Sequence, residues 1–176
     1  MSGHAPQGID KNHLLLFGTI AQEFAAYELL IQKIISHLVK AQLGSVILLT
    51  RPLAFRERRD VLLDLMHHYN VPVDQSDRVR FFLNVPLTHE ALRHAIVHAT
   101  WTTANRDTIQ PNWILNPAPR IKPMLVGADP LPSGIRESED DKTAYSLDDL
   151  TEIAAALNNN FVYFVAYLHE VGLIDP

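Results

Sequence analysis

Residues 91–101 read ALRHAIVHATW, an arginine and two histidines inside a stretch otherwise apolar enough for a buried helix. Histidine is the side chain that exchanges a proton near neutrality, and the guanidinium fork of arginine grips a carboxylate or a phosphate through two parallel donors. The three residues are therefore equipped for acid–base work on a phosphate, for holding a divalent ion, or for nothing beyond a solvated helix face. On a helix, His94 and His98 lie about 40° apart, whereas Arg93 and His98 lie about 140° apart. Arg93 and His98 can reach one target only if it sits in a cleft along the helix flank.

Spacing alone favours the histidine pair. Glu90, His94 and His98 form an i, i+4, i+8 ladder that could present a carboxylate and two imidazoles to zinc or another divalent ion. No further ligand can be named elsewhere in the chain, and no catalytic glutamate lies between the histidines. The solvated-face reading meets a different obstacle. Ala91, Leu92, Ala95, Ile96 and Val97 surround the trio, so this helix is packed on two sides and its polar groups face a groove or an interface.

Other residues could serve the same centre. Glu28 falls near the apolar side of a long helix, where it either snorkels to the edge or stays partly buried to orient a histidine or arginine. Arg58, four residues before Leu62, has its guanidinium at the core margin. Arg51, Arg56, Arg58 and Arg59 of "RPLAFRERR" form either a solvated face or an RNA-binding strip, with Arg56 and Arg59 expected in water. Trp101 and Trp113 are large enough to stack on a base, but core packing is the more ordinary use of such a ring.

These side chains need a scaffold. Phe17, Ile20, Phe24, Tyr27, Ile31, Ile34 and Leu38 recur at steps of three and four, which predicts one long amphipathic helix over 10–40. Short and longer helices follow over 43–49 and 52–69, and a fourth helical region over 75–103, with an interruption at Pro86. Ser146 opens "SLDD", a capping-box-like start to a last helix carrying Leu147, Leu150, Ile153, Leu157, Phe161, Phe164 and Leu168 and stopping near Gly172. Six of the eleven prolines fall in a long loop over 106–145, where "NWIL" and "RIKPMLV" could pair as a short ribbon. The expectation is an all-α bundle of four to five helices in one domain, 1–176, with a disordered tail over 1–9.

The totals exclude some functions. With 176 residues the chain is long enough for a substantial core, and its net charge of −5 argues against a surface that tracks long nucleic acid. A local basic cleft stays compatible with that total. No cysteine means no thiolate metal site and no disulfides, as suits a reducing compartment. The start lacks signal-peptide character, and "LLLFGTIA" is too short to span a bilayer, so the expected location is the cytoplasm, with no membrane partner.

The residues also carry a resemblance. Arg93-His94-Ala95-Ile96-Val97-His98 fits the R-x4-H motif of HEPN domains, in which a polar residue follows the arginine. The sequence resembles a group of uncharacterised bacterial HEPN-like proteins from about residue 14 to 170, through "AAYELL", "FRERRDVLLDL", "LRHAIVHATW" and "YSLDDL". His94 stands where that group most often has asparagine. The resemblance implies a helical bundle that dimerises so that two motifs face one cleft. It implies a metal-independent endoribonuclease of a toxin–antitoxin or defence system, or else a non-catalytic module binding a nucleotide or a partner. His98 would then be the general acid or base, Arg93 the phosphate ligand, and His94 an orienting group or second proton carrier. RNA supplies its own nucleophile, the 2′-hydroxyl. No cofactor is implied; the partners would be a second copy of the chain, RNA, and an antitoxin or nucleotidyltransferase.

Overall fold

Asp10 starts the first helix by accepting hydrogen bonds from the backbone N–H groups of Asn12 and His13 at 2.9 and 3.0 Å, which satisfies donors that a helix start leaves open. The computed structural model describes residues 9–105, 107–112 and 144–174. Helix α1 (Lys11–Val39) ends at Lys40, whose left-handed backbone (φ 51°) lets the Ala41 N–H reach Ser36 O at 3.1 Å. It is followed by α2 (Leu43–Thr50), α3 (Phe55–His68), α4 (Val73–Thr88) and α5 (Glu90–His98). A small antiparallel sheet of β1 (Thr100–Asn105), β2 (Thr108–Asn112) and β3 (Tyr145–Ser146) then leads into α6 (Leu147–Glu170). In this sheet Trp101 pairs with Pro111, and Ile109 with Tyr145.

The architecture is thus mostly helical, with six helices among the described residues where four to five were expected. The long α1 is the hub: Phe24, Tyr27, Ile31 and Ile34 are fully buried, and α2, α3, α5 and α6 pack around it. By length and composition alone α1 would be apolar enough to cross a membrane; here ten of its residues are buried within the bundle. The Tyr27 hydroxyl donates to Leu157 O at 3.0 Å and accepts from Asn160 Nδ2 at 2.6 Å; burial first, then the nearby Glu23, pushes its pKa up to about 12. Ser146 caps α6 through the expected box, its Oγ accepting from the Asp149 N–H at 3.1 Å while Asp149 Oδ2 accepts from the Ser146 N–H at 2.8 Å.

The segment expected as one helix over 75–103 is three elements. Pro86 lies inside α4 without ending it. Proline cannot bond the carbonyl four residues back, and that carbonyl, Phe82 O, instead accepts from Asn160 Nδ2 of α6 at 2.8 Å. The break comes at His89, where α5 begins. Beyond His98 the run Thr100, Trp101, Thr102 and Thr103 is β-branched and aromatic, and it forms a strand rather than continuing the helix. Of the stretches "NWIL" and "RIKPMLV", expected to pair as a ribbon, all but Asn112 lie outside the described residues; Asn112 pairs with Thr100 of β1.

Candidate functional site

Helix α5 is short, and one long side of it is open. Leu92 and Ala95 are buried toward α1, whereas Ala91, His94, Val97 and His98 are exposed, Val97 at 53%. The rings of His94 and His98 lie side by side, 4.6 Å between centroids with 54° between their planes. Partial burial is the largest cause holding His94 below the ordinary histidine pKa. The neighbouring His98 and Arg93 act in the same direction, and Glu90 opposes them.

Arg93 points the other way, into the bundle. Its Nη2 donates to Glu28 Oε1 at 3.1 Å, and the second oxygen of the same carboxylate meets Arg58 Nη1 at 2.5 Å. That second contact is ionic, since Nη1 lacks hydrogen-bond alignment. Side-chain exposure rises along the triad, from 9% at Arg58 through 18% at Glu28 to 32% at Arg93. Arg58 also donates from Nε to Thr50 O at 3.0 Å, which accepts from the Leu53 N–H as well, and from Nη2 to Arg51 O at 3.1 Å, where α2 ends. Gln32 Nε2 donates to Thr50 Oγ1, which donates to Val46 O. One carboxylate on α1 therefore ties together α2, α3 and α5.

Glu28 follows the second of its two sequence readings: it is a part-buried carboxylate that orients arginine. Arg58 faces inward at the helix junction. Arg59, expected in water, is only 18% exposed on its side chain and binds Asp60 and Asn84. Glu90 turns away from the histidines, accepting from the Arg56 N–H at 3.4 Å with Arg56 Nε 3.8 Å away. Among the described residues no group of three His, Asp or Glu side chains could hold a metal ion. Trp101 packs its ring on Phe17 at 4.5 Å and donates from Nε1 to Ala95 O at 3.3 Å, so the indole joins β1 to α1 and to the end of α5. Trp113 lies outside the described residues.

Sequence reasoning passed over Gln32 and Thr50. Gln32, 7% exposed between Ile31 and Ile34, was the available signal, because an amide at such a helix position needs a buried partner. Comparison with family models, curated proteins and solved structures finds no match.

Proposed function

We propose that this chain is an HEPN-like endoribonuclease that cleaves RNA without a metal, as a homodimer whose two α5 helices face a shared cleft. The observation that carries this reading is the exposed pair His94 and His98 on one open helix face, one residue from an arginine whose position is held by Glu28. Two adjacent imidazoles provide a proton acceptor and a proton donor for transfer to and from oxygen. His94, kept below its usual pKa, is the neutral acceptor for the 2′-hydroxyl proton; His98 is the donor to the departing 5′-oxygen. The 2′-oxygen attacks phosphorus, the 5′-oxygen leaves and a cyclic phosphate forms, while Arg93, on turning from Glu28, balances the charge that builds on the phosphate. Exposed Val97 between the histidines supports a face that a second subunit covers.

The test is RNA cleavage by purified protein in the presence of a chelator, comparing wild type with His98→Ala and His94→Ala. Both histidines are exposed, so loss of cleavage at unchanged thermal stability is the expected result. Equal behaviour of all three proteins, with no growth arrest on induced expression, rejects the reading. Arg93→Ala is less informative alone, because it also strips Glu28 of a partner.

The ion pair between Arg93 and Glu28 favours a second reading. An arginine used to tie helices together suits a non-catalytic module that binds a nucleotide or partner. Thermal stabilisation by nucleotides without RNA cleavage would select it.

A further inference from the structure

The side of α1 away from Glu28 borders a different site. Ala26, Leu30, Lys33 and His37 lie about 140–180° round the helix from Glu28. Together with α6 they enclose a half-open cavity of about 650 Å³, within the usual range of a small-molecule site. Helices α1 and α6 run in the same direction here: Trp101 bridges Phe17 to Tyr145 at their starts, Tyr27 meets Phe161 midway, and His37 and His169 share the far end.

That common direction gives the cavity a polarity. Its near end is walled by Ala26, Leu29, Leu30, Phe161 and Val165, all apolar. Lys33, Ser36, His37 and His169 line the far end together with Leu43 and Ile174, and among the described residues no aspartate or glutamate lines the cavity. Among the described residues the side chains of Lys33, His37 and His169 have neither a hydrogen bond nor an ion pair. Three basic groups gathered at one end of a largely apolar slot are complementary to a ligand bearing an anion on an apolar chain.

We propose that this cavity binds a free single-chain alkyl carboxylate of medium length. The tail lies along Ala26, Leu30 and Phe161; the carboxylate sits against Lys33, His37 and His169. The wall from Ala26 to His37 is about 16 Å long, which suits a short fatty chain. A second copy of this chain fits the charge pattern poorly. A two-fold interface pairs each residue with another of the same patch on the second copy, so the described lining offers the basic groups no acid.

Titration calorimetry on the full chain tests the assignment, with decanoate below its micelle concentration as the probe. Decanoate should bind about tenfold or more tightly than decanol, butanoate or inorganic phosphate. Lys33→Glu should weaken decanoate about tenfold and leave decanol unchanged, and Ala26→Trp should remove binding of both. Lys33 is exposed, so its variant should keep the wild-type melting temperature; where Ala26→Trp does not, Val165→Trp takes its place. Shifts of the His37 and His169 ring signals on adding decanoate give a readout that needs no variant. Equal affinity for decanoate and decanol, indifference to Lys33→Glu, or binding only to anionic phospholipid vesicles overturns the proposal.

Discussion

Glu28 and Arg93, 65 positions apart in sequence, are joined by an ion-paired hydrogen bond of 3.1 Å that fixes α5 to the middle of α1. Its partner contact, from Arg58 to the same carboxylate, is the more buried of the two. The two arginines therefore carry unequal weight. Replacing one member of a buried pair leaves the other's charge unmatched, and the cost grows with burial. Arg58→Met should destabilise the fold by about 2–4 kcal/mol, because it also removes the side-chain donor to Arg51 O. Arg93→Met should cost about 1 kcal/mol, given its exposure to solvent. Urea denaturation midpoints of the two variants check the order; equal losses would show that the triad is not graded by burial.

His94 makes stability depend on pH. His94 has a folded pKa below its unfolded value of 6.5, so the folded state binds protons less readily than the unfolded chain. Its contribution is fully present above pH 6.5 and is lost as pH falls from there through the lower folded value. Melting temperature should therefore drop more steeply on acidification in wild type than in His94→Gln. Parallel curves over that interval would remove the effect.

Trp101 is a packing residue with a satisfied indole, rather than a platform waiting for a base. Trp101→Ala should cost about 2–4 kcal/mol through the lost contact with Phe17 and the cavity left beside it. A variant of wild-type stability with weakened RNA binding would restore the stacking role.

Asn160 and Pro86 are coupled through one carbonyl. Asn160→Ala leaves Phe82 O without its donor from α6 and should cost about 1–3 kcal/mol. In a Pro86→Ala background residue 86 regains an N–H that can take up that carbonyl, so the same substitution should cost less. A double-mutant cycle with no interaction energy would contradict this account.

Lys40 holds a left-handed backbone that a side chain disfavours, with φ at 51°. Lys40→Gly should therefore raise stability by up to about 1 kcal/mol, measured as an increase in melting temperature.

Much of the scaffold was legible from local signals. Asp10, Ser146 and Gly172 mark helix ends by their own chemistry, and the stripe from Phe17 to Ile34 is the buried face of α1. The course of the chain after His98 was not. A helical period of apolar residues extends to Ala99, and only pairing with β2, a partner distant in sequence, turns Thr100–Asn105 into a strand. At the site, the arrangement of Arg93, His94 and His98 on α5 followed from spacing. Arg58 and Arg93 meeting on one carboxylate did not, because three helices must first be placed. Glu90 likewise falls on the histidine ladder by count, yet Arg56 at the start of α3 draws it aside.

The three-stranded sheet has a topological consequence. Strand β2 ends at Asn112, and the chain returns to the same strand at Tyr145, which pairs with Ile109 only three residues before that end. Departure and return are thus about 10 Å apart at the strand rise. The pairing of β2 with β1 and β3 thus holds both ends of that sequence stretch at one small sheet, and the Asn112 end lies opposite Thr100, two residues beyond His98. The sheet therefore acts as a clasp, which sets where α6 begins relative to the histidine-bearing helix whatever number of residues joins β2 to β3.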